Sequence, residues 1–416
     1  MYKVRKTEKL FGEIELNGAK NAALPIIVAS CLTDERVTLR NVPIELNDIR
    51  TLIDILNEMG FNINILENNE LEIHNKNYEI NENTPKRASQ IRSSLLFLSL
   101  LLQKTGKVKV PYPGGCSIGN RKHDIHIDSL SKMGANITET QEYIIGELDG
   151  KFKGENLDFY IATTSGTENV ILGAVLGEGK TIIRNANTRP EVIDLIKFLN
   201  SIGADIEYKT RYIEIKGVNK LHGGDYRVMS GRDEAVTYMI LAGMTRGEIK
   251  IKKFSVESIK TDVNLLRDIG LNIFEWGDDI FVSAKNKKLN SFSMATSPYP
   301  GINSDMQPLF AALAATIKGE SIITDMRFKD RFQYVEEFKR FGIDINNYNN
   351  CAIVQGGKRI LGAKVKATDL RCGAALMLLG SIADGETEIN KSHQIDRGYI
   401  DLKEKLNNIG TKITVE

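Results

Sequence analysis

The stretch PYPGGCSIGNRKHD, residues 111–124, gathers the side chains best suited to chemistry. Pro111, Pro113, Gly114, Gly115 and Gly119 disfavour both helix and central strand, so it is predicted to be a loop. Cys116 sits in its middle, followed closely by Arg121, Lys122, His123 and Asp124. Cations beside a thiol favour the thiolate, the condition for acid, base or nucleophile work. A lone cysteine in a surface turn is usually inert, but a charged, glycine-rich loop is a poor place to bury one.

A second set of polar residues stands at or near the starts of apolar runs. These are Lys20 and Asn21; Arg92; Thr164, Ser165, Gly166 and Thr167; Arg232, Asp233 and Glu234; Asp305; Asp369 and Arg371. Asp, Ser and Thr there are ordinary N-caps. Lys20, Arg92, Arg232 and Arg371 instead oppose the helix macrodipole, which points to an anionic ligand offsetting that cost. Arg331 and Arg397 follow predicted strands and add two cations, although each alone fits a solvated loop. His126 opens a helical pattern and suits a structural role as well as a ligand contact. There is no Walker A motif, no Gly-x-Gly-x-x-Gly after a strand and no metal-ligand spacing, so neither metal nor cofactor is expected.

The elements that must carry these residues recur six times. Amphipathic runs end in glycine and then a short strand at 52–63, 126–137, 194–206, 263–273, 335–345 and 402–413. The glycines are Gly60, Gly134, Gly203, Gly270, Gly342 and Gly410, spaced by 74, 69, 67, 72 and 68 residues. Each suits a helix C-cap, and six at near-constant spacing mark an internal repeat. Six runs apolar nearly all round lie among them, at 21–32, 91–102, 166–177, 233–244, 305–316 and 370–381, and predict buried helices. Each repeat therefore reads strand, buried helix, strand, amphipathic helix, strand, strand. Three repeats make one domain over 21–228. The other three make a second, formed by 1–20 and 229–416, with the polar helix starts lining an interdomain cleft and the Cys116 loop as its lid.

Bulk properties agree with a two-domain globular chain. At 416 residues the chain exceeds one ordinary core. Its 55 basic and 54 acidic residues nearly balance, against a nucleic-acid surface. No apolar run reaches the roughly 18–20 residues of a membrane span. The start, MYKVRKTEKLFG, lacks the apolar region of a signal peptide. Cys31, Cys116, Cys351 and Cys372 show no paired spacing, and a cytoplasmic protein is expected. The oligomeric state is open at this point.

The motifs NGAKNAALP (17–25), PGGCSIGNR (113–121), SDMQ (304–307), ATDLR (367–371) and IDRGY (395–399) resemble, in order and spacing, those of the UDP-N-acetylglucosamine enolpyruvyl transferases. The resemblance implies an inverted α/β barrel of two domains, each of three βαβαββ units, with the active site in the cleft. It implies transfer of the enolpyruvyl group of phosphoenolpyruvate to the 3′-hydroxyl of UDP-N-acetylglucosamine, the first committed step of peptidoglycan synthesis. Lys20, Arg92, Arg121, Arg331, Arg371 and Arg397 would share the phosphate and carboxylate of phosphoenolpyruvate. Asp305 would be the base near the hydroxyl, Asp369 a second proton-handling carboxylate, and Cys116 an acid at C3 or an aid to product release. Asn21, Arg121, Asp124, His126, Thr164, Ser165 and Gly166 would hold the nucleotide sugar, with Arg327 a further substrate contact. Fosfomycin would alkylate Cys116.

The chain departs from the family's pattern at three places. Lys122 stands where many members have Pro, Ala162-Thr163-Thr164-Ser165-Gly166 replaces the usual approach to Ser-Val-Gly, and Lys329-Asp330 replaces Glu-Asn. A paralogue using another nucleotide therefore stays open, as does a catalytically silent sensing or scaffold homologue. Enolpyruvylshikimate-phosphate synthase shares the six-unit plan but fits the PGGC loop poorly.

Overall fold

A computed structural model describes residues 1–76, 79–113, 123–328 and 331–416. The chain forms two compact units, Gly18–Met229 (the first unit) and Met1–Asn17 with Ser230–Glu416 (the second). Among the described residues there are twelve α-helices. They are α1 Lys20–Ser30, α2 Asn47–Glu58, α3 Phe97–Thr105, α4 Asp124–Lys132, α5 Thr164–Ala174, α6 Pro190–Ser201, α7 Arg232–Thr245, α8 Lys260–Ile269, α9 Gln307–Ala315, α10 Tyr334–Lys339, α11 Leu370–Gly380 and α12 Leu402–Asn408.

The odd-numbered helices are the buried ones. Every residue of α9 is buried, as is α11 after its first residue, because their apolar side chains leave no polar face to turn outward. Within the first unit α3 packs on both α1 and α5, and within the second α7, α9 and α11 pack on one another. Full burial of a side chain such as Phe310 or Leu376 contributes about 1.5–3 kcal/mol, so this packing supplies much of each unit's stability. The even-numbered helices bury one stripe, as α8 does with Val263, Leu266 and Ile269. The six repeat glycines after them all take positive φ, from 77° at Gly342 to 122° at Gly270, which ends the helix and turns the chain into a strand.

Each complete repeat builds one four-stranded sheet. In the third, Asn156–Asp158 runs parallel to Lys180–Arg184, which pairs antiparallel with Tyr212–Lys216, and Asp205–Lys209 lies at the edge. A parallel pair needs a crossover, and α5 supplies it. Two repeats borrow from the N-terminal segment. Tyr2–Arg5 completes the last sheet between Glu386–Asn390 and Lys412–Val415, and Phe11–Glu15 opens the fourth beside Glu248–Lys252. Gly224–Arg227 likewise opens the first, parallel to Val37–Arg40. The second repeat has a three-stranded sheet, its opening strand reduced to a bridge between Asn83 and Lys109.

The chain leaves the first unit beside its own start, where the Ala19 amide donates to the Met229 carbonyl at 2.8 Å. Asp194 accepts from the Met229 amide at 3.0 Å, so a side chain, not a linker, holds the crossing. In the second unit Glu234 accepts from the Asn17 amide at 3.0 Å in the same manner. Gly18 tolerates no side chain, since a Cβ would stand 1.8 Å from the Asn41 carbonyl oxygen.

Three expectations are corrected. Pro111 ends the strand Lys107–Pro111 and Asp124 begins α4, so neither is the loop residue expected of it. The second buried run is 3-10 helix over Arg92–Leu96 before α3, where the Ser94 hydroxyl bonds the Ile91 carbonyl at 2.8 Å and competes with α-helical pairing. The fifth begins as a 3-10 turn, Ser304–Met306, ahead of α9.

Candidate functional site

Cys116, Arg121, Lys122, Lys329 and Asp330 lie outside the described residues. The remaining candidates divide between the two units.

In the first unit the start of α5 organises the polar residues. Thr163 caps the helix, its hydroxyl oxygen accepting from the Gly166 amide at 3.5 Å, while Thr164 accepts from the Asn187 side chain at 2.9 Å. Gly166 is required here, because an added Cβ would lie 2.5 Å from the Thr163 methyl. His126, on α4, is buried, with Nε2 3.1 Å from the Ser165 hydroxyl and Nδ1 3.0 Å from the Asn169 amide nitrogen. The Asn169 side-chain nitrogen can only donate, so Nδ1 accepts and the Nε2 proton points to Ser165. Burial, reinforced by Arg92 and His123, pushes the His126 pKa down to about 3, so the ring is neutral. His126 thus acts on the α5 start through Ser165. Asp124 accepts from the exposed Tyr160 hydroxyl at 2.9 Å.

Lys20 begins α1 and reaches Asp48 of α2 at 2.9 Å, with Asn21 half-buried beside it. Arg92 begins its 3-10 turn. Sequence reasoning passed over Arg189, which grips buried Glu191 through two bonds of 2.7 and 2.8 Å, and over Glu168. Burial pushes the Glu168 carboxyl up to about 8, with Arg189 opposing and Glu191 reinforcing the shift. No motif marks either residue. Only their positions, Glu168 in the first turns of α5 and Arg189 just before α6, could have suggested them.

In the second unit the central feature is a carboxylate between two guanidiniums. Arg331 Nη1 lies 2.7 Å from Asp305 Oδ1, and Arg371 Nη2 lies 3.4 Å from Asp305 Oδ2. Both arginines are buried, while Asp305 keeps 24% of its side chain exposed. Arg371 also bonds Asp233, and its Nη1 donates to the Tyr399 hydroxyl at 3.0 Å. Burial opposes charge on Arg371, but Tyr399, Asp233 and Asp305 outweigh it and hold its pKa above the ordinary arginine value. Asp369 caps α11, accepting from the Arg371 and Cys372 amides at 2.8 and 3.0 Å. Arg397 donates to Gln394 at 3.3 Å, and exposed Arg327 stands over the Phe328 ring. The structure therefore brings Asp305, Arg331, Arg371 and Asp369 into one cluster.

One argument from the sequence changes. Lys20 and Arg371 oppose their helix dipoles, but Asp48, Asp233 and Asp305 offset that locally, so their placement alone does not demand a ligand. A sharper sign is Arg331 Nε, buried and without a hydrogen-bond partner among the described residues. A buried donor left unmet is costly unless an acceptor arrives. The cluster can thus offer a partly exposed carboxylate for proton transfer beside guanidinium donors for an anion. No group of three His, Cys, Asp or Glu among the described residues could hold a metal ion, and no helix there is long and apolar enough to cross a membrane.

Comparison with known proteins identifies the family. Residues 4–406 match the family of EPSP synthase (3-phosphoshikimate 1-carboxyvinyltransferase). The UDP-N-acetylglucosamine 1-carboxyvinyltransferase of Wolbachia pipientis is 40% identical over 419 residues, 99% of this chain and 98% of the relative. That of Idiomarina loihiensis is 38% identical, with 99% and 98% covered. Among solved structures, the enolpyruvyl transferase NikO of Streptomyces tendae superposes with a TM-score of 0.89 at 20% identity, covering 99% and 98% of the chains. EPSP synthase of Acinetobacter baumannii gives 0.81 at 18%, covering 100% and 99%. These two share the α/β fold of three-repeat barrels. The chain belongs to the EPSP synthase family. Within it, the chain groups with the UDP-N-acetylglucosamine 1-carboxyvinyltransferases.

Proposed function

We propose that this protein transfers the enolpyruvyl group of phosphoenolpyruvate to the 3′-hydroxyl of UDP-N-acetylglucosamine and releases phosphate, in peptidoglycan synthesis. The observation that carries this reading is the likeness of the whole chain, at 38–40% identity, to relatives named for that acceptor. In the addition, the hydroxyl oxygen bonds to C2 of phosphoenolpyruvate while C3 gains a proton. In the elimination, C3 loses a proton and the bond from C2 to the phosphate oxygen breaks.

Asp305 takes the hydroxyl proton, and Arg331 and Arg371, with Lys20, Arg92, Arg121 and Arg397, hold the phosphate and carboxylate of phosphoenolpyruvate. The planar guanidinium fork suits both anions. The open Nε of Arg331 supports this assignment. Asp369 assists proton handling and Cys116 serves C3 or product release. The α5 start (Thr164, Ser165, Gly166), with Asn21, Asp124, Arg121 and Arg327, receives the nucleotide sugar, and His126 acts by orienting Ser165. Both substrates are charged and do not cross membranes unaided, so a cytoplasmic location is part of the proposal. A silent scaffold or a paralogue for another nucleotide finds no support in these relatives.

The test is phosphate release with phosphoenolpyruvate and a panel of acceptors. UDP-N-acetylglucosamine should support turnover and shikimate 3-phosphate should not. Turnover only with a different nucleotide, or none at all in folded protein, refutes the proposal.

A further inference from the structure

We propose that Ser304 and Asp325 are positioning residues for the transfer reaction, setting the mutual orientation of Arg331 and Asp305. This inference rests on the proposed function, and its observations lie wholly in the second unit. Asp325 ends the strand Gly319–Asp325 and is fully buried. Its Oδ1 accepts from the Thr296 hydroxyl at 3.0 Å and from the Arg327 and Phe328 amides at 2.9 and 3.0 Å. Its Oδ2 accepts from the Ser304 hydroxyl and from the Gln307 side chain at 3.2 Å. A buried carboxylate is costly unless its lone pairs are met, and here five donors meet them.

Four of the five donors come from the two segments that carry the candidate chemistry, and the fifth, Thr296, ends the strand Ser293–Thr296. Ser304 and Gln307 flank Asp305 on the turn into α9, and Arg327 and Phe328 lie on the segment that leads to Arg331. Asp325 therefore ties the carboxylate's turn to the guanidinium's segment. The Ser304 hydroxyl makes the link directional. A guanidinium nitrogen only donates, so the Ser304 oxygen accepts from Arg331 Nη1 at 3.3 Å and its own proton points to Asp325. The same Nη1 donates to Asp305 at 2.7 Å. Asp325, Ser304, Arg331 and Asp305 thus form one polarised chain in which each group limits the freedom of the next. A role in stability alone would require Asp325 but would not require Ser304 to present an acceptor to Arg331.

The test uses Ser304→Ala and Ser304→Thr in the full chain. Ser304→Ala removes the acceptor beside Arg331 and leaves Asp325 its other donors. It should lower kcat by roughly 10- to 100-fold, the scale of a small misplacement of reacting groups. KM for UDP-N-acetylglucosamine should stay within about threefold, because the donors proposed for it lie elsewhere, and the melting temperature should stay near that of the parent, because the core persists. Ser304→Thr keeps the hydroxyl and should restore most of the turnover. Asp325→Asn, which puts an amide nitrogen in place of one acceptor oxygen among five donors, should lose at least as much; if it fails to fold, the serine pair decides. Crystal structures of the parent and Ser304→Ala form a second arm, in which Arg331 Nη1 should move off Asp305 in the variant. Parent-like kcat in Ser304→Ala, a Ser304→Thr as impaired as Ser304→Ala, or an unmoved Arg331 overturns the inference. An inactive parent would refute the function instead, and the crystallographic arm would then decide the positioning alone.

Discussion

His126 allows a quantitative test of the first unit's polar core. Its ring is buried and neutral, with pKa pushed down to about 3 from an ordinary 6.5. In the unfolded chain it would protonate near the ordinary value, so between those limits the unfolded state binds more protons. The stability this group contributes is complete above about pH 6.5 and is lost as pH falls toward 3. At pH 5 the loss corresponds to about 1.5 pKa units, or about 2 kcal/mol at 1.36 kcal/mol per unit. For a unit of this size that is a fall of roughly 4–8 °C in melting temperature. His126→Gln cannot take up a proton and should show a flatter melting temperature between pH 7.5 and 5. Other groups titrate in both proteins, so the difference between the two slopes isolates the His126 share. Thermal melts at matched ionic strength, followed by circular dichroism, supply the measurement. Parallel slopes for parent and variant would refute the argument, because they would mean that the imidazole protonates in the folded state without cost.

Other perturbations have equally definite outcomes. Asp305→Asn should lower kcat for phosphate release by roughly 10²- to 10⁴-fold with a folded protein, the usual worth of a general base; near-normal turnover would remove Asp305 from proton transfer. Glu168, with its carboxyl pushed up to about 8 and one oxygen unmet among the described residues, binds a proton in the folded state that the unfolded chain has released. Its contribution to stability is therefore present below about pH 4.5 and lost as pH rises through 8, and Glu168→Gln should melt with a weaker alkaline decline; an unchanged decline would count against a buried acid there. Fosfomycin, followed by peptide mass mapping, should label Cys116. Burial pushes the Cys31 and Cys372 thiols up to about 12, so a label on either would sink the assignment. Cys351 is only half-buried and is the control most worth watching.

The six-fold repeat was legible in the chain because its signals are local. A glycine after each amphipathic run, and runs apolar all round, follow from helix geometry and solvent contact alone. The motif order likewise announced the family before any coordinates. The strand exchanges of Tyr2–Arg5 and Phe11–Glu15 were not legible, since pairing across more than two hundred residues leaves no periodic trace. Nor was the loss of an opening strand in the second repeat, where a single bridge survives.

The site divides in the same way. Residue types and positions named Lys20, Asp305, Asp369, Arg331, Arg371 and Arg397, because charged groups at helix starts and after strands stand out against an apolar background. Their partners did not stand out. Asp48, Asp233, Asp325 and Ser304 look like ordinary caps and strand ends in one dimension. His126 read equally well as ligand contact or structural residue until Ser165 and Asn169 were seen on its two nitrogens. Residue chemistry and local periodicity are written in the chain, whereas desolvation and hydrogen-bond direction depend on which segments pack together. The sequence by itself therefore determined the repeat, the family and the inventory of charged groups; only the tertiary structure decided which charges neutralise one another and which buried donor has no partner among the described residues.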